Sequence, residues 1–333
     1  MMKKISAVVV LCCAVAAFLL FAPMSNGHDT RYILVDADDN IDSVFAKVDT
    51  VSHGYSFMTF KCLAYAMRYD GHVRTGRYAM ESGTGPLQML RHMRNGQQAP
   101  IMLTIPSVRT VDRLAEEMGK RLMVSEDELL SALKDEAMCE KYGLDTLTIQ
   151  CLFIPNTYDI YWNISVEKFL DRMKKEADRF WTTERKVKAK DAGLTPVEVV
   201  TLASIVDEET ANNGEKPMVA GMYVNRLKAG MPLQADPTVK YAWKRFDLKR
   251  IYNKLLFIDS PYNTYRNTGL PPGPIRIPSV AGIDAVLDHV HHDYMYMCAK
   301  EDFSGTHNFA VTYAEHLKNA AKYTAALNAR GIK

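Results

Sequence analysis

Hydrophobic and polar positions alternate in several distinct ways along this chain. Residues 5–22 are apolar at every position but Ser6, and Lys3 and Lys4 precede them. As a helix this run would rise about 27 Å, close to the thickness of a bilayer's hydrocarbon core. Two readings fit. A retained single-pass anchor suits the length. A cleaved signal peptide suits the small residues Ser25-Asn26-Gly27, although its apolar region is usually only about 7–15 residues. Positive charge ahead of the run predicts an inside N-terminus and an exported remainder in either case.

Beyond the run, mixed α/β patterning predicts a small module. Residues 31–35 and 101–105 read as strands, and residues 42–48 as a helix behind an Asn/Asp cap. Residues 72–78 read as a turn with strand character. Residues 86–93 are amphipathic through Leu87, Leu90 and Met93, with Asn95-Gly96 closing the helix. Gly83-Thr84-Gly85 lacks the flanking strand and further glycines of a phosphate loop and reads as a turn. From about 110 to 183 the pattern is helical and charge-rich, with Val111, Leu114, Met118 and Leu122 on one stripe. Residues 151–158 interrupt it as an apolar loop or strand. At Thr195-Pro196-Val197-Glu198 a Thr cap, an early Pro and a reciprocal Glu predict a strong helix start. That helix is expected to reach about Ala211.

Composition narrows the classes. The chain has 333 residues, 47% hydrophobic and 24% charged, as in proteins that bury a core. Lys+Arg 41 against Asp+Glu 39 excludes the concentrated basic excess of a nucleic-acid binder. Outside the apolar run lie Cys62, Cys139, Cys151 and Cys298. None forms a CxxC pair, so no zinc ribbon is expected. An oxidising compartment allows disulfides whose pairing sequence cannot assign. Asn163-Ile164-Ser165 fits a glycosylation sequon, a tripeptide common by chance.

The candidate chemistry lies in the last turn of the helix begun by Thr195. Asp207, Glu208 and Glu209 follow one another there. At roughly 100° per residue, Glu209 falls about 20° from Leu202, while Asp207 and Glu208 turn roughly 140° and 240° away. One acid is thus expected on the apolar stripe with Leu202 and Val206, and two off it. A helix C-terminus disfavours an ionised carboxylate. Desolvation raises its pKa further, and a carboxyl still protonated near neutrality can serve as a general acid.

Leu202-Ala203-Ser204-Ile205-Val206-Asp207-Glu208-Glu209-Thr210 resembles the active-site helix of the MltG/YceG family of membrane-anchored endolytic murein transglycosylases. The resemblance continues through Val224-Asn225-Arg226-Leu227, residues 230–241, Pro261-Tyr262-Asn263-Thr264-Tyr265, residues 269–275, His307-Asn308-Phe309 and Glu315-His316. Residues 153–158 are similar to a further family stretch. Two departures stand out. Asp207-Glu208 replaces the family's usual acid-Lys pair before the catalytic Glu, and His289-Val290 replaces its His-Pro. The run His289 to Asp293 does not have a one-face metal-ligand spacing.

The resemblance implies an α+β protein. It implies an N-terminal membrane helix within residues 1–27, a LysM-like α/β module over 28–108, a mostly helical segment over 109–190, and a mixed α+β catalytic domain over 191–333. It implies Glu209 as the acid–base residue for cleaving the MurNAc–GlcNAc β-1,4 bond, leaving a 1,6-anhydro end. It suggests Asn225, Gln234, Asp236, Thr238, Tyr262, Asn263 and Tyr265 as substrate-binding residues, with no metal or other cofactor. Asp236 reads equally as a stabiliser of charge at C1 or as an Asx turn set by Pro237. The implied partners are peptidoglycan strands, the bacterial inner membrane and cell-wall synthesis proteins, not nucleic acid. The catalytic part is expected on the outer, periplasmic side. Two rivals stay open: a muramidase using water, and a non-catalytic peptidoglycan-binding scaffold.

Overall fold

The structure, a computed structural model, describes residues 2–25, 27–248 and 251–331, with the backbone alone for residues 2–4. Asn26 of the small-residue site and the side chains of Lys3 and Lys4 lie outside the described residues. The described chain is mixed α+β and divides into two compact units. Residues Met1–Leu103 form the first with Gly119–Ser125 and Thr157–Ser165, and the rest forms the second. The expected helical connector over 109–190 is therefore shared between the units.

The first unit opens with α1 (Met2–Phe21), a helix of 20 residues. Among the described residues no helix is long and apolar enough to cross a membrane. Next come β1 (Arg31–Val35), α2 (Ile41–Asp49), α3 (Gly54–Ala66) and β2 (Gly76–Met80). The two strands pair antiparallel, with Arg31 opposite Met80 and Val35 opposite Gly76. Period-two alternation drives Ile33 and Val35 into the core and leaves Tyr32 and Leu34 outside. The predicted cap of α2 is Asn40, whose side chain accepts from Asp42 and Ser43, while Ser43 returns to the Asn40 N–H. Sequence patterning missed α3, whose apolar residues are spread around it without a one-sided stripe. Then follow α4 (Pro86–Asn95), β3 (Ile101–Thr104) and β4 (Thr157–Ile160), the last two paired. Gly96 ends α4 at φ 70°, a left-handed cap that glycine adopts at no steric cost.

The second unit holds α5 (Val111–Gly119), α6 (Glu126–Lys134), α7 (Glu136–Lys141), α8 (Val166–Phe180) and α9 (Thr183–Asp191). After them come α10 (Pro196–Glu209), α11 (Lys216–Lys228), α12 (Asp236–Ala242), α13 (Val280–Leu287), β5 (Tyr296–Ala299), β6 (His307–Ala310) and α14 (Tyr313–Ala329). The α10 capping box forms as predicted, with Thr195 accepting from Glu198 N–H and Glu198 accepting from Thr195 N–H. The helix stops at Glu209, earlier than expected, because Thr210 turns extended.

The single-stripe expectation for α10 is wrong. Every residue from Val199 to Val206 is buried, because α11, α12, α13 and α9 pack around it. Sequence spacing cannot distinguish one buried face from several when the residues are apolar all round. β5 and β6 pair antiparallel against α14, which begins with a reciprocal Thr312–Glu315 capping box. None of the six cysteines is in a disulfide.

Close helix packing generates a stability prediction. A Cβ on Gly221 of α11 would strike the Val290 carbonyl oxygen just beyond α13. Backbone cannot yield as a flexible side chain does. Gly221→Ala should therefore destabilise the protein by about 1–3 kcal/mol, as overpacking typically does, read as a lower midpoint in chemical denaturation.

Candidate active site

The end of α10 sends three consecutive carboxylates into three different surroundings. The Asp207 carboxylate lies 2.7 Å from Lys216 Nζ, with the side chains 4% and 7% exposed. It also accepts from the Ser279 N–H (2.5 Å) and hydroxyl (3.1 Å). Glu208 accepts a two-pronged contact from Arg109 (2.8 and 2.9 Å) and another from Arg276 (3.0 Å). These two acids are expected off the Leu202 stripe. They leave the Glu209 direction, as the helical angles required, but each meets cations from a neighbouring element.

Among the described residues Glu209 meets no cation at hydrogen-bond distance. Its Oε1 accepts from the Tyr223 hydroxyl of α11 at 2.6 Å. Burial pushes its carboxyl up to about 7, with the negative charges of Asp236 and Glu208 adding to the rise. The Tyr223 hydrogen bond and the Lys240 charge oppose it. Asp207 and Glu208 are the two acidic neighbours of Glu209 in the helix. Lys216 neutralises Asp207, and Asp236 of α12 takes its place.

Glu209 lines a cavity of about 280 Å³ with Tyr223, Arg226, Gln234, Asp236 and Tyr265. Residues 297–299 of β5 and His307 of β6 form its other wall. Of the predicted binding residues, Gln234, Asp236 and Tyr265 are brought together here. Gln234 sits at φ 52°, a left-handed conformation that is uncommon outside glycine. Its N–H donates to the Thr264 carbonyl and its Oε1 accepts from Arg226. Asp236 begins α12 and accepts from the Tyr265 hydroxyl at 2.6 Å. That contact occupies one oxygen of the Asp236 carboxylate.

Asn225, Thr238, Tyr262 and Asn263 do not line this cavity, and their polar groups serve the frame. Asn225 Nδ2 donates to the carbonyls of His292 (2.6 Å) and Tyr294 (3.1 Å). The fully buried Thr238 hydroxyl donates to the Ala235 carbonyl and meets the Thr264 hydroxyl. Tyr262 packs on Tyr241 with ring centroids 4.8 Å apart. Asn263, fully buried, donates to the Leu256 and Ile258 carbonyls. Buried polar side chains must find partners, and for Asn225, Thr238 and Asn263 those partners include backbone carbonyls.

Sequence reasoning missed Tyr223, Arg226 and His307 as lining residues. Tyr223 and Arg226 are three apart and share a face of α11, a spacing legible beforehand. Arg226 binds the carbonyls of Met295 (2.6 Å), Leu233 (2.8 Å) and Pro232 (3.1 Å), joining the cavity's two walls. Buried Glu215 holds His307 through its N–H (2.6 Å) and Nδ1 (3.0 Å). In the His289–Asp293 run, His292 uses both ring nitrogens on backbone groups of Met218 and Tyr294. Among the described residues, no group of three or more His, Cys, Asp and Glu is placed to hold a metal ion.

A carboxylic acid desolvated at a helix end, beside a tyrosine hydroxyl, shares an open cavity with a second carboxylate, and this is the candidate active site. The YceG-like family model matches residues 33–322, and the chain belongs to that family. It is 28% identical over 306 residues to an endolytic murein transglycosylase of Bacillus subtilis, covering 86% of this chain and 82% of that protein. It is 26% identical over 339 residues to an endolytic murein transglycosylase of Streptococcus pneumoniae, covering 90% of this chain but 59% of that protein. The crystal structure of a YceG-like protein from Listeria monocytogenes superposes with a TM-score of 0.56 at 25% identity. That match covers 88% of this chain and 99% of the Listeria chain.

The charge pairing has two consequences for stability. Asp207→Asn leaves the Lys216 ammonium buried without its counter-ion, which typically costs about 3–5 kcal/mol. The variant should show a large loss of folded protein in a thermal melt, so any fall in its activity must be corrected for folded fraction. Glu209 behaves in the opposite sense. Its carboxyl is raised from 4.5 to about 7, so folding takes up a proton between those pH values and stability falls as pH rises through them. Glu209→Gln removes that penalty, worth at most about 3 kcal/mol. It should be more stable than the parent at pH 8 and gain little at pH 4, in paired denaturation curves.

Proposed function

We propose that this chain is an endolytic peptidoglycan lytic transglycosylase. The observation that carries this reading is the Glu209 carboxyl, desolvated and held by Tyr223 in an open cavity. Protonated Glu209 donates its proton to the oxygen of the MurNAc–GlcNAc β-1,4 bond. The C1–O bond breaks as the MurNAc C6 hydroxyl closes on C1. The ionised Glu209 then takes the C6 hydroxyl proton, and a 1,6-anhydro end remains. The nucleophile belongs to the substrate, so its effective concentration is already high and no water has to be activated. Asp236, steadied by Tyr265, lies where a negative charge offsets positive charge growing at C1. Strand cleavage of this kind ends glycan elongation.

The second carboxylate in the cavity also favours a muramidase reading, since hydrolysis generally uses two acids. Product mass separates them, because a hydrolytic product carries one additional water.

The first unit has its own role in this proposal. Its β1–α2–α3–β2 order with antiparallel strands supports a LysM-like module over 28–108 that grips peptidoglycan. Helix α1 exposes Val8, Val10, Leu11, Phe18 and Phe21, which supports a retained single-pass anchor in the bacterial inner membrane. Its N-terminus is inside, and the catalytic domain over 191–333 works outside on new strands, near the proteins that make them.

Glu209→Gln keeps the shape of the side chain and removes its titrating proton. Cleavage of intact glycan strands should fall by about 10²–10⁴-fold, with glycan binding retained. The parent should yield anhydro ends by mass analysis and lose activity as pH rises through about 7. Tyr223→Phe removes a hydrogen bond that favours the ionised form, so this alkaline limb should move to higher pH. Hydrated ends, or full cleavage by Glu209→Gln, would reject the mechanism.

A further inference from the structure

Away from the catalytic cavity, the segment that follows α12 presents an unusual surface. Phe257 is 75% exposed, Tyr252 57% and Trp243 43%. An exposed large apolar residue is ordinary when alone. Here three aromatics fall within fifteen residues, with Leu255, Leu256 and Ile258 only partly covered beside them. Among the described residues of this stretch, Lys244, Arg245, Lys254 and Arg266 stand against Asp247 and Asp259.

The tip is held in place. Four successive carbonyls around the 3₁₀ turn Asn253–Phe257 are bound by side-chain donors from outside the turn. Trp243 Nε1 donates to Leu255 O (3.0 Å), Asn263 Nδ2 to Leu256 O (2.8 Å) and Ile258 O (2.9 Å), and Arg266 Nη1 to Phe257 O (3.0 Å). Asn263 is fully buried, so the clamp is rooted in the core of the second unit. With its backbone fixed from behind, Phe257 stands out, and the bare ring has no polar atom to satisfy in water.

We propose that this clamped tip is a peripheral contact for a bilayer surface bearing anionic headgroups. Phe and partly exposed Leu and Ile suit the acyl boundary, while Trp and Tyr suit the headgroup level. The basic excess suits anionic lipid. Sugars stack on aromatic faces and gain little from exposed aliphatic side chains, so a glycan subsite fits this surface less well. The proposal does not depend on the catalytic assignment.

Trp243 supplies the readout, because Trp162 and Trp181 are buried. The full chain is reconstituted into vesicles with brominated acyl chains, of phosphatidylcholine alone or mixed equally with phosphatidylglycerol. The N-terminal helix can bring the chain to either vesicle, so association is not the measure. Subtracting a Trp243→Phe sample isolates the Trp243 emission. The mixed vesicles should quench most of it and the phosphatidylcholine vesicles much less. Phe257→Ser and Lys254→Glu should each restore emission while cleavage of soluble glycan strands is unchanged. Equal emission in brominated and unbrominated mixed vesicles would overturn the proposal. So would a Trp243 response to soluble glycan strands with none to bromolipid, which would make the surface a sugar platform.

Discussion

Charge compensation at the end of α10 is the constraint on which the rest of the second unit depends. A helix C-terminus is already partly negative, and this one is packed about on several sides. Three consecutive carboxylates there cannot all remain ionised without compensation. Asp207 takes an ammonium from Lys216, and Glu208 takes two guanidinium groups from Arg109 and Arg276. Among the described residues Glu209 has no cation within hydrogen-bond distance, and it retains a proton up to about pH 7. Its acidity is therefore set partly by how completely its two neighbours are satisfied.

The same pairings organise the surrounding chain. Lys216 is the first residue of α11, and Ser279, which binds Asp207, is the cap of α13. Arg276 reaches from Glu208 to the Ser107 carbonyl and hydroxyl, and the Ser107 hydroxyl donates to Ile277 O. The 107–109 segment, the 275–279 segment and two helices thus converge on acids that perform no chemistry in the proposed reaction. Gly282 approaches so near that a Cβ would strike the Asp207 carboxylate. A catalytic acid has to be held against fixed walls, and ion pairs on its two neighbours supply much of that rigidity.

The cavity follows a similar rule. Arg226 ties the loop before α12 to the residue before β5, and Asn225 holds residues 292–294. Asp236 and Gln234 reach the cavity because Thr264 fixes the turn on which they lie. Several polar residues in the recognisable motifs thus serve backbone carbonyls and amides. They keep the reacting groups in register without facing the substrate. Asn263 does the same for the exposed tip around Phe257.

Local chemistry determined much of this protein before any fold was known. The caps at Asn40, Thr195 and Thr312, the glycine stop after α4 and the alternation in β1 each depend on residues only a few positions apart, so the sequence contains both partners. The helical angle that separates Glu209 from Asp207 and Glu208 is equally local. Tertiary structure decided which neighbours each acid meets. Lys216, Arg109, Arg276 and Tyr223 lie 9, 99, 68 and 14 residues from their carboxylate partners, and no periodicity brings them together. It also decided that Asn225, Thr238, Tyr262 and Asn263 brace the frame while Asp236 and Tyr265 face the cavity. A polar residue type reveals a capacity to hydrogen-bond; only the packed chain determines whether backbone or solvent-filled space receives it.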